Sequence, residues 1–304
     1  MKNNSRVSVL LPVYNGEKTI KRTLESLLNQ TYTNFELLIG IDGTTDRSKE
    51  IALGFRDERI KIIEHPNNLG LAQNLNTLVA NCNPDTELFA MAEQDDWYVP
   101  ERLEWQVEVL NDNTDVGLVS GIAEFKSDNN NVLFPGLLVQ GQQFSQGKAL
   151  FKFLYINQLK VVNTCMMWRK KIHEEHDLSF RDTYGNFNVD WNFVLRFSLV
   201  SKVHGIPKKM VEMDRHQSRT SVTVDKWKQF SASRQLLKDF KEEFPKVISK
   251  TDYKKALKTH RKIELGYKSK FEIVIYSIYY LLYYQDAYFL NYLKNRSFKY
   301  LKKS

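Results

Sequence analysis

The chain has 304 residues, of which 42% are hydrophobic, so it is long enough for one large or two modest domains with a real core. Its formal net charge is +8, but residues 251–304 hold 12 Lys and Arg against 4 Asp and Glu, whereas the preceding residues balance at 32 of each. The basic character therefore belongs to one terminal segment, which excludes a nucleic-acid recognition surface spread over the chain.

Short apolar runs alternate with helically spaced ones in the first third of the chain. The runs 7–13 (VSVLLPV), 35–41 (FELLIGI), 60–63 (IKII) and 87–92 (ELFAMA) predict strands, and 71–79 predicts a helix. Between the first two strands, apolar residues recur at helical spacing: Ile20, Leu24, Leu27 and Leu28. This alternation is typical of an α/β protein with a parallel sheet and helices on both of its faces.

Polar residues follow each predicted strand. They are Tyr14 and Asn15 after the first, Asp42 after the second, His65 and Asn68 after the third, and Glu93, Asp95 and Asp96 after the fourth. Ligands of open α/β sheets bind at the carboxyl ends of the strands, so the pattern predicts one shared crevice. The alternative is that these are the ordinary polar residues of loops.

Several ordered motifs in the same region resemble a known family. They are "LPVYNG" (11–16), "NQTYTNFE" (29–36), "IDGTTD" (41–46), "NNLGLAQNLN" (67–76) and "AEQDDWYVPERL" (92–103). Together they resemble the family 2 glycosyltransferases, inverting enzymes with a GT-A fold, and the likeness extends from about Val7 to about Thr223.

The resemblance implies a GT-A-type α/β fold with a mixed, mainly parallel sheet and a helical C-terminal tail. A catalytic domain is expected over 1–223, with a nucleotide-binding part (1–100) and an acceptor-side part (101–223), followed by a helical basic and aromatic region (224–304). The expected donor is a UDP-sugar, and the expected acceptor is a hydroxyl of a cell-surface glycan or a lipid-linked sugar. The Q-x-x-R-W motif of processive members is absent from the sequence, which favours addition of a single sugar.

The resemblance also assigns nucleotide contacts. Tyr14 would stack on uracil, a contact that contributes about 1–3 kcal/mol, and Asp42 would accept a hydrogen bond from uracil N3–H. The remaining nucleotide contacts implied by the matched motifs are Pro12, Asn15, Glu17, Asn68, Gln73, Gln94 and Asp95. The alternative for Asp42 is a turn residue before Gly43, and Asp46 is expected to cap the next helix rather than to contact a ligand.

The acidic cluster Glu93, Asp95 and Asp96 is explained by a cation. A sugar diphosphate adds negative charge to a site that already holds carboxylates, and Mg²⁺ or Mn²⁺ takes oxygen ligands from both. The resemblance makes Asp95 the principal metal ligand, with Glu93 in place of the usual first Asp. Asp96 is expected to hold the loop or to approach the sugar, and His216 is expected to be a third metal ligand or a diphosphate contact.

The catalytic base is expected in "FNVDWNFVLRF" (187–197), where the resemblance places it at Asp190. Inverting transfer is a single displacement in which a carboxylate takes the proton of the acceptor hydroxyl. The alternative is that Asn188 caps a helix whose apolar side chains face the core, and that Asp190 only complements the helix dipole.

Three positions depart from the common pattern of the family: Ile41, Glu93 and Val189. They support an alternative function, a catalytically impaired member that binds a nucleotide-sugar and acts as a binding or scaffold protein. A nucleotidyltransferase would need a glycine- and basic-rich loop near its start, which "LPVYNGEKT" lacks, and a nucleic-acid binder has only the basic tail in its favour.

The C-terminal segment 251–304 holds ten of the fifteen tyrosines. Its charge-free stretch Ile273–Gln285 is shorter than the about 20 residues of a membrane-spanning helix, and basic residues flank it on both sides. This composition favours an interfacial helix on an anionic membrane, and the alternative is a helical hairpin packed on the catalytic domain. Two distant cysteines and an N-terminus without a signal-peptide pattern favour a cytoplasmic location, and an interfacial helix in the tail would place the protein peripherally at the inner face of the membrane.

Overall fold

The computed structural model describes residues 4–126, 131–134, 138–139, 142–143, 145–159, 163–214 and 225–301. The chain forms two compact units. The first comprises Met1–Tyr155 and Leu159–Leu236, and the second comprises Ile156–Gln158 and Leu237–Ser304.

The first unit begins with a parallel half-sheet. Its elements are β1 (Val7–Val13), α1 (Ile20–Leu28), β2 (Phe35–Asp42), α2 (Ser48–Leu53), β3 (Ile60–His65), α3 (Leu71–Ala80) and β4 (Leu88–Met91). The strands lie in the order β3-β2-β1-β4, and each neighbouring pair is parallel. The four predicted strands and both predicted helices are confirmed.

The other half of the sheet is mixed. The elements of this part of the chain are β5 (Asp96–Tyr98), α4 (Arg102–Asp112), β6 (Val116–Lys126), β7 (Val132–Phe134), β8 (Leu138–Val139), β9 (Gln142–Gln143), α5 (Gly147–Asn157), a 3₁₀ turn (Asn163–Cys165), β10 (Met167–Arg169), α6 (Lys170–Glu175), α7 (Val189–Val200) and β11 (Lys202–Asp214). Strands β8 and β9 form a separate two-stranded sheet. The full order is β3-β2-β1-β4-β10-β6-β11-β5. Strand β10 runs antiparallel to both of its neighbours, whereas β6 and β11 are parallel. The parallel ladders hold most of the paired residues, so the predicted GT-A-type α/β class is confirmed.

Pro12 lies inside the central strand β1, a position that proline normally avoids because it has no N–H to donate. The pairing of β1 with β4 ends at Leu10 and Met91, and the last bond runs from Ala92 N to Leu10 O (2.9 Å). Backbone groups alternate in direction along a strand, so Pro12 faces the same side as Leu10. The missing N–H therefore lies beyond the end of this ladder.

An aromatic cluster fixes α7 against the sheet. Phe193 of α7 stacks on Phe180 with ring centroids 4.6 Å apart, and Trp168 of β10 packs edge-on against Phe193 at 5.2 Å. The Trp168 Nε1–H donates to Nδ1 of buried His173 (3.3 Å). Because large aromatic side chains contribute much buried area, this cluster determines where the first turn of α7 lies.

The second unit is helical, as predicted for the tail. It contains the end of α8 (Lys226–Glu243), followed by α9 (Lys250–Gly266), α10 (Lys270–Tyr284) and α11 (Tyr288–Leu301). Capping boxes start α9 at Ser249 and α10 at Ser269. A small core joins the helices: Leu265, Ile273, Tyr280 and Phe289. Across the residues that the structure describes, no helix has both the length and the apolar character needed to cross a membrane.

Candidate active site

The carboxyl ends of β1, β2, β3 and β4 lie at one edge of the sheet because these strands are parallel neighbours. Hydrogen bonds join the loops that follow them: Tyr14 to Gln94, Asn15 to Thr44, and Asp42 to Leu69. The predicted convergence of polar strand ends at one edge of the sheet is therefore present in the fold, whereas the crevice and the role of each residue there stay predictions.

Gln94 holds the backbone after β1. Tyr14 N donates to Gln94 Oε1 and Gln94 Nε2 donates to Tyr14 O, both at 2.9 Å. A Cβ at Gly16 would lie 2.6 Å from Gln94 Oε1, so this pairing requires glycine at position 16. The Tyr14 side chain remains 48% exposed, and its ring is available for stacking.

Asn15 and Glu17 connect the loop after β1 to the loop after β2. Asn15 adopts a left-handed backbone (φ 50°), which Asn tolerates better than most residues, and its Oδ1 accepts from Thr45 N (2.9 Å). Asp46 accepts from Glu17 N and from Ser48 N, both at 2.9 Å. Ser48 is the first residue of α2, so Asp46 bonds to the start of the helix, but the N-cap position is Arg47, one residue beyond the expected cap.

Asp42, the last residue of β2, is only 3% exposed. Its Oδ1 accepts from Leu69 N (2.7 Å) and its Oδ2 accepts from Gly70 N (2.9 Å). Each carboxylate oxygen has a second lone pair, so these bonds leave acceptor capacity for a ligand N–H. Asp42 thus positions the loop before α3, and the side chains of Asn68 and Gln73 on this segment are exposed.

His65 ends β3 beside Asp42, its partner in the parallel register. It is 9% exposed, and its Nε2 has no hydrogen-bond partner among the described residues. Its carbonyl accepts from Gly43 N (3.1 Å), which joins the β2 and β3 ends.

The acidic cluster lies directly after β4. One carboxylate oxygen from each of Glu93, Asp95 and Asp96 lies within 4.8 Å of the others. Glu93 and Asp95 are partly exposed, whereas Asp96 is 1% exposed at the start of β5. Three carboxylates at this separation suit a divalent cation with oxygen ligands.

The environment of the Asp96 carboxylate also suits a bound cation. Burial, and then the charge of Glu93, raise the pKa of Asp96 well above its ordinary value. Thr164 acts in the opposite direction and lowers the pKa of Asp96. The Thr164 hydroxyl, however, bonds to the Tyr98 hydroxyl. Within the described residues, neither carboxylate oxygen of Asp96 accepts a hydrogen bond in good geometry. A cation bound to the cluster would supply the compensation that these oxygens lack.

The positive charge of Arg102 partly offsets the negative charge of the acidic cluster. It is fully buried, its guanidinium lies 4.5 Å from the centroid of the Tyr98 ring, and its charge lowers the pKa of Asp96. Its Nη2 donates to Met91 O (2.5 Å) and its Nε donates to Gln106 Oε1 (3.1 Å). Arg102 belongs to the matched "PERL" motif, so its position was a signal that the sequence interpretation did not use.

Three more residues support the acidic loop: Thr23 and Asn163 come from distant elements and had no sequence signal, whereas Tyr98 belongs to the matched motif 92–103. The Thr23 hydroxyl of α1 lies 2.9 Å from Gln94 O and 2.7 Å from Asp96 O. Asn163 Nδ2 donates to Glu93 Oε1, and Tyr98 OH accepts from Glu93 N at 2.8 Å. These contacts fix both the backbone and the side chain of the acidic loop.

Asp190 lies in the first turn of α7 and is partly exposed. The loop before it contacts the start of α3, since Ala72 N donates to Asn186 Oδ1 (3.2 Å). Asn188 occupies the helix N-cap in a left-handed conformation (φ 63°), but its side chain makes no capping hydrogen bond and its Nδ2 donates to Ser233 Oγ (3.0 Å). The expected inner face is buried and consists of Trp191, Val194 and Leu195. His216 lies outside the described residues.

The family profile "Glycosyl transferase family 2" matches residues 8–177, which include Tyr14, Asp42 and the acidic cluster. Among curated proteins, the chain is 31% identical over 144 residues to the UDP-Glc:alpha-D-GlcNAc-diphosphoundecaprenol beta-1,3-glucosyltransferase WfgD of Escherichia coli, a match over 47% of this chain and 54% of that protein. The matched segments span roughly half to two thirds of the length of these curated relatives.

Solved structures share the fold. The S. aureus TarS 1-349 complex with UDP superposes with a TM-score of 0.59 at 15% identity, over 78% of this chain and 65% of that one. Mannosyltransferase PcManGT from Pyrobaculum calidifontis, in complex with GDP-Man and Mn2+, gives a TM-score of 0.55 at 14% identity over 94% and 82%. Sheet order, strand-end loops and family profile agree: the chain belongs to glycosyl transferase family 2.

Proposed function

We propose that the protein is a metal-dependent inverting glycosyltransferase that moves one sugar from a UDP-sugar to a hydroxyl of a cell-surface glycan or a lipid-linked sugar. The observation that carries the proposal is the acidic cluster at the same sheet edge as Tyr14 and Asp42. The UDP complex of TarS and the UDP-Glc donor and diphosphoundecaprenol-linked acceptor in the name of WfgD support the choice of donor and acceptor classes.

In this proposal the nucleotide lies over the ends of β1 and β2. The exposed Tyr14 ring stacks on the base, and Asp42 accepts from the base edge while its backbone bonds hold the loop. Gln94 contributes by holding the Tyr14 backbone, and Asn15 and Glu17 keep the two loops together.

Glu93, Asp95 and Asp96 would hold Mn²⁺ or Mg²⁺, and the Mn²⁺ complex of PcManGT supports this assignment. The bound cation would supply Lewis-acid stabilisation of the UDP leaving group. Thr23, Tyr98 and Asn163 keep the acidic loop in one conformation, so the carboxylates need little reorganisation on binding.

Asp190 is proposed as the general base. It takes the proton of the acceptor hydroxyl as the oxygen attacks the anomeric carbon, and UDP leaves from the opposite face, which inverts the configuration. Its position in the first turn of α7 fixes the backbone that carries this carboxylate.

Two of the three residues that depart from the family pattern are buried in the core. Ile41 and Val189 are each 1% exposed, so an apolar residue there is explained by packing. Glu93 is the remaining departure, and it keeps a carboxylate in the cluster. This favours a catalyst over an impaired binding protein.

The test is release of UDP from a panel of UDP-sugars, with Mn²⁺ or Mg²⁺ and a mixture of glycan and lipid-linked acceptors. Acceptor-dependent release of UDP from at least one sugar, abolished by EDTA, supports the proposal. UDP binding with no release from any donor would instead support the binding-protein alternative.

A further inference from the structure

Helix α10 buries only a narrow stripe. The 12 residues Ile273–Tyr284 include no charged side chain, yet the buried residues of the helix are Ile273, Ser277 and Tyr280 alone. These residues are spaced by four and three positions and so form a single line along the helix. Apart from partly buried Leu281, the rest of the charge-free stretch is exposed.

The side opposite this stripe is apolar. Phe271, Val274, Ile275, Ile278 and Leu282 recur at intervals of three and four residues, which places them on one face. Their exposed fractions run from 45% at Val274 to 75% at Phe271. The outward face of a helix in water normally carries polar and charged residues, so this face has the composition of a contact surface.

A row of tyrosines borders the apolar face, and cations lie against tyrosine rings. Tyr276, Tyr279 and Tyr283 are 37–69% exposed. Buried Lys268 places its Nζ 3.7 Å from the centroid of Tyr276, and partly buried Arg261 places its Cζ 3.9 Å from that of Tyr284, so both cations support the rings from within the helical unit. Tyrosine and basic side chains together are typical of the headgroup zone of a bilayer, where one end of each side chain is apolar and the other is wet.

We propose that α10 lies in the plane of an anionic lipid bilayer, with the outward apolar face (Phe271, Val274, Ile275, Ile278 and Leu282) among the acyl chains and the exposed tyrosines at the headgroups. The net charge of residues 251–304 favours anionic lipid over a second copy of the chain as the partner of this face. Residues 251–304 carry 12 basic and 4 acidic side chains, so a second copy seated on this face would bring like charge, whereas anionic lipid brings the opposite charge. The 15 residues of α10 measure about 22 Å, which suits an in-plane helix.

The test is co-sedimentation of the full chain with vesicles of phosphatidylcholine alone or mixed with phosphatidylglycerol. We expect binding at least tenfold tighter to the anionic vesicles, and only partial release when salt is raised from about 0.1 M to about 1 M, because salt screens the charges and leaves the apolar contact. No donor sugar is present, so this result is independent of whether the protein transfers sugar.

Single substitutions on the outward face of α10 can weaken insertion into the bilayer without unfolding the protein. Ile278→Glu and Leu282→Glu place a carboxylate on the outward face and leave the buried stripe intact, so we expect each to weaken vesicle binding by on the order of tenfold or more. Leu53→Glu is the matched control, an exposed leucine (59%) on α2 of the first unit, and should bind like the parent. Circular dichroism and thermal unfolding check that each variant is folded.

Two outcomes would overturn the proposal. One is a parent chain that fails to bind either vesicle. The other is a parent that sediments as a dimer without lipid, becomes monomeric with Leu282→Glu, and binds vesicles no better than that variant, which would make the face a contact between copies.

Discussion

Gln94 and Tyr14 are joined by two hydrogen bonds between one side-chain amide and one backbone unit, although they lie eighty positions apart in the sequence. The amide also lies so close to Gly16 that a Cβ at that position would be 2.6 Å from Gln94 Oε1. This contact couples the acidic loop after β4 to the aromatic ring that we propose for the nucleobase. Disturbing either loop should therefore affect the other.

Gln94→Ala should weaken UDP binding by releasing the Tyr14 backbone. It removes both bonds that hold the Tyr14 backbone, each of about 1 kcal/mol, so we expect up to a roughly thirtyfold higher Kd by calorimetry. Gln94→Glu, which keeps the acceptor for Tyr14 N and loses the donor, should fall between parent and alanine. A Kd for Gln94→Ala equal to that of the parent would show that Tyr14 does not need this support.

Asp95→Ala should abolish Mn²⁺ binding, and Glu93→Gln should weaken it less, because Asp95 is the proposed principal ligand. Titration of Mn²⁺ followed by electron paramagnetic resonance measures both directly, without substrate. Asp112→Ala, at an exposed position on α4, is the control and should bind like the parent. Equal Mn²⁺ affinity in Asp95→Ala and the parent would remove the cation from the proposed mechanism.

Asp190→Asn should lower kcat by about a hundredfold or more while the Kd for UDP stays unchanged, because it removes a general base and keeps the size of the side chain. Asp182→Asn, an exposed residue of the preceding loop, is the comparison. If turnover of Asp190→Asn approaches that of the parent, the base lies elsewhere, and loss of turnover in Asp182→Asn would identify it.

Buried His173 should make the fold less stable in acid. Burial lowers the pKa of His173 to about 4, below its ordinary value of 6.5, so the folded state holds the neutral ring that accepts from Trp168. The folded pKa is depressed, so this stabilisation is complete above the unfolded pKa and is lost as pH falls from about 6.5 toward 4.

From this shift, the free energy of unfolding should be about 2 kcal/mol lower at pH 5 than at pH 7 through His173 alone. Urea unfolding at both pH values measures the difference. His173→Gln keeps an acceptor for Trp168 and cannot titrate, so its pH dependence should be smaller by that amount. Exposed His176→Gln should behave like the parent, and equal pH dependence in all three proteins would contradict the assignment.

Much of the first unit can be predicted from local pattern. Strands β1 to β4 are short apolar runs, α1 and α3 carry helical spacing, and parallel strands bring their carboxyl ends to one edge. Polar residues after those strands therefore had to meet. The acidic cluster was identifiable for the same reason, since its three carboxylates are near neighbours in the chain.

The tertiary structure alone decided which partners these residues have. Three examples depend on contacts between segments that are far apart in the chain. Asp42 accepts hydrogen bonds from Leu69 and Gly70, Asn163 donates to Glu93, and only one stripe of α10 is buried. A sequence pattern reports the period of a helix or strand, because side chains repeat along a regular backbone. It carries no distance between elements, since that distance is set by how the sheet and helices pack together.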